Sequence, residues 1–245
     1  MNRRLPLMAI CLTAFATAAG CNGFHGVPVS AAQLRPDQVL DFETLYSENC
    51  AGCHGERGQG GAAIAIASPV YLSIAGDDVL RNVMANGVPG TPMPAFAQKA
   101  GGMLTEPQVS ALVSGIRNWA KPDDFAGVHP PAYAGTTPGN PSRGADVYAT
   151  FCSSCHGADG KGGKEAGSVV DPSFLALISD QGLRTVVIVG RPEFNAPDWR
   201  GDVPGHPMTG EQVSDVVAWL AAQRVRYPGQ PYPAQDAAGQ QGAKE

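Results

Sequence analysis

The sequence predicts an all-α protein built from two similar units in tandem, and three observations carry that expectation. Two cysteines followed by His-Gly occur at Cys50-Ala-Gly-Cys53-His54-Gly and again at Cys152-Ser-Ser-Cys155-His156-Gly. Each copy is preceded by a helical pattern and followed, much later, by a capped amphipathic helix. Strand signals are almost absent.

The chain opens with Met1-Asn2-Arg3-Arg4, a mostly apolar stretch from Leu5 to Ala19, and Gly20-Cys21, the layout of a secretory signal over residues 1–20. The stretch is too short, and its side chains too small, for a membrane span. Ala18-Ala19-Gly20 before Cys21 resembles a bacterial lipoprotein processing site, which would make Cys21 a lipidated N-terminus. The competing cleavage, after Ala18, leaves Cys21 as a lone thiol. Residues 21–35 read as a tether and 228–245 as a disordered tail.

In the first half a helix is expected from Asp37 to Asn49, in the second from Ser142 to Phe151. Tyr46 and Tyr148 hold the same place on them, ahead of the first cysteine. Pro69-Val-Tyr-Leu72 and Pro172-Ser-Phe-Leu175 precede short helical patterns around Val79 to Asn86 and Leu183 to Val189. Thr105-Glu-Pro-Gln and Thr209-Gly-Glu-Gln place an N-cap threonine with glutamine three residues on, a capping box ahead of apolar residues at helical spacing. Trp119 and Trp219 belong to these last helices and read as packing residues rather than electron relays. Residues 121–141 are rich in Pro and Gly without apolar periodicity and form a linker, so the units run over 36–120 and 142–227.

Cys-x-x-Cys-His is the covalent haem attachment signature: two thiols reach the two vinyl groups of one porphyrin and the adjoining histidine binds the iron. A four-thiolate zinc site, a redox dithiol or a disulfide framework would not explain why both pairs continue with His-Gly. Two c-type haems are therefore expected, held by Cys50 and Cys53 and by Cys152 and Cys155, with His54 and His156 as proximal ligands. A haem face also supplies the core that few helices and long Gly/Pro loops lack. The glycines at Gly58 to Gly61 and Gly160 to Gly163 turn the chain at the haem edge rather than cradle phosphate.

These features resemble the class I cytochrome c fold, and the duplication resembles dihaem cytochromes of the c4 type: two tandem class I cytochrome c domains, each a few helices around a covalently bound haem. The resemblance covers residues 36–120 and 142–227. It implies that a proline carbonyl, by position that of Pro69 or Pro172, accepts a hydrogen bond from the proximal histidine, and that methionine is the usual sixth ligand. Gly87-Val-Pro-Gly-Thr-Pro-Met93-Pro-Ala-Phe96 looks like the methionine-donating loop, with Met93 as distal ligand and Met103 as fallback. The second-half counterpart puts Ala196 opposite Met93. Met208 is the favoured replacement, beside His206 or an iron left open.

The whole chain carries 17 basic and 22 acidic residues, a net charge of −5. Removal of residues 1–20 takes Arg3 and Arg4 with it. That balance argues against nucleic acid and favours a basic patch on a redox partner, whose identity as donor or acceptor stays unknown. The reading is a periplasmic dihaem electron carrier, anchored to the membrane through lipid on Cys21, moving single electrons between a membrane respiratory or photosynthetic complex and another redox protein. It has no catalytic residues. The alternative is a dihaem oxidoreductase, peroxidase-like or thiosulfate-oxidising, with an open second site. Arg81 and Arg184, at matching positions, are read as solvated helix faces or propionate contacts.

Overall fold

The computed structural model describes residues 34–120, 129–201, 203 and 205–225. The signal, Cys21, the first part of the linker and the tail lie outside the described residues. The described residues from Asp37 onward, both halves included, belong to one compact unit. Among the described residues there is no β-strand, only the isolated bridges Ala97–Leu104 and Arg191–Ala196. No described helix is long and apolar enough to cross a membrane.

The first half comprises α1 (Phe42–Asn49), α2 (Ala51–His54), α3 (Pro69–Ile74), α4 (Asp77–Asn86) and α5 (Glu106–Arg117). The second repeats it with α6 (Pro141–Phe151), α7 (Ser153–His156), α8 (Pro172–Leu177), α9 (Asp180–Val189) and α10 (Gly210–Ala221). The expected first helix starts later than Asp37, because Asp41 caps it by accepting from the Thr44 amide at 2.9 Å. Both terminal helices start as expected: the Gln108 and Gln212 side chains each accept from the N–H of their N-cap threonine at 2.9 Å.

α5 packs on α1 and α4, and α10 on α6 and α9. The buried face of α5, Val109, Leu112, Val113 and Ile116, is matched by Val213, Val216, Val217 and Leu220 of α10. At the helix crossing the halves exchange a large and a small residue. In the first, Phe42 of α1 meets Gly115 of α5, where an added Cβ would lie 2.0 Å from the phenyl ring. In the second, the glycine is on α6 and the ring on α10: a Cβ at Gly144 would stand 2.1 Å from the Asp215 carbonyl and 2.7 Å from Trp219 Cβ. One ring and one glycine fill each crossing, a volume-conserving swap.

The tryptophans do pack, but from different places. Trp119 lies just beyond α5, edge-on to Tyr46 with centroids 4.9 Å apart, whereas Trp219 lies within α10 and stacks on Tyr148 at 4.2 Å. A similar shift relocates an arginine that sequence reading passed over. Arg117 donates to the carbonyls of Leu72 and Ala75 and to Asp77; Arg224 donates to the matching Leu175, Ile178 and Asp180. Each satisfies carbonyls at the end of a short helix that cannot satisfy them itself.

Arg184 corrects the expectation of a solvated helix face, whereas Arg81, its side chain 37% exposed, stays on one. Arg81 donates to Glu106 at 2.7 Å and Ser110 at 3.0 Å on α5. Arg184 is buried and bonds the matching Ser214 at 3.0 Å, but Gly210 stands where Glu106 would be. Its guanidinium turns instead to the carbonyls of Ala132 and Tyr133, at 2.9 and 3.0 Å. Gln181 adds a bond to the Tyr133 carbonyl at 2.8 Å. The described part of the linker is thus a strap bound to the second half, irregular in backbone but hydrogen-bonded.

Asp215, 3% exposed, ties the start of α6 to α10 by accepting from the Asn140 amide at 2.6 Å and from Arg143 at 2.7 and 2.8 Å. The Arg143 bonds hold its carboxyl below the ordinary 3.8.

Two expectations follow. Gly144→Ala meets backbone that cannot step aside and should cost about 3 kcal/mol, the upper end for overpacking. Gly115→Ala faces a side-chain ring and should cost less, both read as a fall in urea midpoint. Because the folded pKa of Asp215 is depressed, its contribution is full above the unfolded carboxylate pKa and is lost as pH falls through the lower folded value. Asp215→Asn should therefore lower the midpoint at neutral pH and flatten its fall in acid.

Candidate haem sites

Each attachment motif is a single helical turn. Cys50 and Cys152 are the N-cap residues of α2 and α7, and their carbonyls accept from the amides of His54 and His156 at 3.0 Å. One turn sets the paired cysteines, three residues apart, on the same side of the helix. All four are free thiols. Burial, assisted by the neighbouring thiol, pushes Cys50 and Cys152 up to about 11, so both stay protonated at neutral pH. Among the described residues no group of three or more His, Cys, Asp or Glu could hold a metal ion.

The residue after each histidine has to be glycine. Gly55 has φ 82° and ψ 157°, Gly157 φ 79° and ψ 158°, a region open essentially to glycine alone. A Cβ on Gly55 would also fall 1.9 Å from the Gln59 carbonyl. The turn is fastened from α1 and α6. The buried Tyr46 hydroxyl donates to the Gly55 carbonyl at 2.7 Å and the Tyr148 hydroxyl to that of Gly157 at 2.6 Å. Burial raises the Tyr46 phenol to about 12, keeping the donated proton in place.

His54 Nδ1 lies 2.8 Å from the Ile64 carbonyl and His156 Nδ1 2.7 Å from that of Gly167. A carbonyl only accepts, so each Nδ1 carries a proton, and in the neutral ring that tautomer puts the lone pair on Nε2. Burial lowers the His54 pKa below 6.5 against the opposing Ile64 bond, and the Arg191 guanidinium acts in the same direction as burial. His54 is thus neutral at pH 7. An imidazole with this tautomer, its orientation set by a backbone acceptor and two cysteines one turn away, fits a covalently attached haem iron.

The acceptors correct the expectation placed on Pro69 and Pro172. Those prolines occupy the first turn of α3 and α8. There a missing N–H costs nothing and the carbonyl serves the helix ladder. The histidine partner comes from five residues earlier, at the close of the glycine loop.

Met93 is part-exposed in a loop tied by Val88 N–H to the Met93 carbonyl at 3.0 Å and by the Met93 amide to Thr91 Oγ1 at 3.3 Å. In the second half Arg191 and Ala196 exchange two backbone bonds at 2.9 and 3.0 Å, with Asn195 left-handed at φ 60°. Ala196 therefore holds the place of Met93. Met208 is 7% exposed within the apolar core, and its amide donates to the Trp199 carbonyl at 2.8 Å. Leu104 does the same in the first half, 5% exposed and donating to the Phe96 carbonyl at 2.7 Å. Met208 stands in the register of a core leucine. His206 is exposed, and so is Met103, at 78%.

The second distal loop also reaches the first motif. Arg191 Nη2 donates to the Gly61 carbonyl at 2.6 Å and Nε to Glu193 at 2.7 Å, while Glu193 accepts from the Gly60 amide at 3.4 Å. Nearby, α3 packs on α9. No residue pattern in the sequence signals this contact.

A family model described as cytochrome c oxidase, cbb3-type, subunit III matches residues 37–114 and again 139–220. The cbb3-type cytochrome c oxidase subunit FixPc of Rhizobium leguminosarum bv. viciae is 28% identical over 148 residues, covering 57% of this chain and 46% of that protein. The cytochrome bc1 complex cytochrome c subunit of Mycobacterium tuberculosis is 25% identical over 188 residues, covering 76% and 64%. The chain spans about half the length of the first of these curated relatives. Among solved structures, a chain of the Kuenenia stuttgartiensis reducing HAO-like protein complex aligns at a TM-score of 0.42 and 15% identity, over 75% of this chain and 96% of that one. With the attachment geometry present twice and the family model matching both halves, the chain belongs to the cytochrome c family of cbb3-type subunit III.

Proposed function

We propose that the protein is a dihaem electron carrier on the periplasmic side of a bacterial membrane. It would be anchored through lipid on Cys21 and exchange single electrons between a membrane respiratory or photosynthetic complex and another redox protein. The observation that carries this reading is the doubled arrangement in which a carbonyl-bound histidine follows a paired-cysteine turn. Family membership implies covalently bound c-type haem, and a haem iron takes up and releases one electron without forming or breaking other bonds. Two relatives bear names of respiratory-complex cytochrome subunits, which supports a place beside such a complex.

In this reading Cys50 and Cys53, and Cys152 and Cys155, hold the two porphyrins by thioether bonds. His54 and His156 present Nε2 to the iron, each kept in orientation by its Nδ1 bond. Met93 offers a thioether from a proline-stiffened loop, a donor that favours Fe(II) and raises the potential. For the second iron, the core register of Met208 favours its being a packing residue, and Ala196 offers no donor. A second reading follows from that observation: the second iron binds a small exogenous ligand, as an oxidoreductase would.

Two measurements test these roles. The oxidised protein should show the far-red iron(III)–thioether band at one equivalent per two haems, lost in Met93→Ala and unchanged in Met208→Leu. Two equivalents, falling to one in Met208→Leu, would restore Met208 as ligand and leave a pure carrier. Gly157→Ala should bring attached haem per chain from two toward one, counted by mass, while Gly52→Ala, where a Cβ meets nothing within 4 Å, should keep both.

A further inference from the structure

The cross-half contact of Arg191 and Glu193 has features that a surface ion pair lacks. The two side chains are 17% and 18% exposed, and the guanidinium lies 4.8 Å from the Phe194 ring centroid, so water screens them poorly. Its carbonyl partner, Gly61, lies directly against the first attachment turn. A Cβ there would be 2.2 Å from the Cys53 carbonyl and 2.6 Å from the His54 carbonyl carbon. The loop is bound to that turn by Ala63 N–H to the Cys53 carbonyl at 2.9 Å and returns Ile64 to His54. A fixed charge from the second half thus rests on the backbone that carries the first proximal histidine.

We propose that Arg191, a residue of the second distal loop, sets the redox potential of the first haem from outside that haem's own half, with Glu193 as its counterweight. The inference deepens the electron-carrier reading and rests on iron being held at His54. Oxidation of the iron adds one positive charge. A poorly screened cation beside its ligand loop disfavours the oxidised form, and an anion favours it. The two residues therefore act in opposite directions although they share one hydrogen bond. They also link the halves, since the loop that bears Arg191 is the one closed by the Arg191–Ala196 bridge in the second half.

The experiment is a spectroelectrochemical titration of the haem-loaded protein, following the far-red thioether band as the marker of the first haem. At fixed potential, Arg191→Gln should lower the reduced-to-oxidised ratio of that haem roughly threefold to tenfold. Glu193→Gln should raise it, and Arg191→Lys should stay within about twofold of the parent. Loss of packing alone would move both neutral variants the same way. Unchanged ratios, or shifts of one sign in both, overturn the inference while the band is present. Absence of the band from the parent protein would instead overturn the Met93 assignment, and absence of attached haem the carrier reading itself.

Discussion

An imidazole can serve as a stable axial ligand only if its two nitrogens are kept unequal, one proton committed and one lone pair free. In this protein that inequality is made twice by the same means, a backbone carbonyl placed opposite Nδ1. The carbonyl is delivered by a glycine-rich loop that leaves the attachment turn in a conformation side chains refuse and is closed by bonds such as Gly58 N–H to the Gly55 carbonyl, at 3.0 Å. A buried tyrosine from the preceding helix secures the exit of that loop, and the tyrosine is held by a tryptophan at the end of each half. The helix crossing, remote from the histidine in sequence, is thereby part of what fixes its orientation.

This dependence explains what the two halves keep and what they exchange. The attachment turn, the His-Gly step, the tyrosine and the capping boxes recur with the same partners because each has one geometric solution. The crossing has two equivalent solutions, ring on the first helix or ring on the last, and the halves take one each. The arginine that closes α3 or α8 likewise reaches the same carbonyls from different positions. Long side chains forgive a shift in register; a carbonyl at 2.8 Å from a ring nitrogen does not.

The sequence made the helices, the caps, the attachment turns and the equivalence of Met93 and Ala196 readable, since these are local patterns with local causes. Pro69 and Pro172 misled because a proline near a haem motif suits two roles, and only the loop's path shows that the helix start claims it. Arg184 misled for a different reason: its partner depends on Gly210, a residue whose effect is to be absent from the space Glu106 fills in the other half. Met208 stands ahead of a cap, and its amide makes the bond that Leu104 makes in the first half, a register no local pattern announces. The Arg191 contact involves residues 130 positions apart, and no periodicity announces it.

The divergence of the halves is concentrated where they face different tasks. The first keeps a thioether donor in a loop whose bonds leave Met93 part-exposed. The second has alanine at that place, and the same loop sets an arginine and a glutamate on the glycine loop that follows the neighbour's attachment turn. On the carrier reading, two identical sites would give an electron no preferred direction. Unequal distal loops break that symmetry, and because the altered loop of one site contacts the proximal loop of the other, a single set of substitutions changes the environment of both. The packing of α3 on α9 and the bonds of Arg191 and Glu193 to the Gly60–Gly61 backbone are what join the two halves.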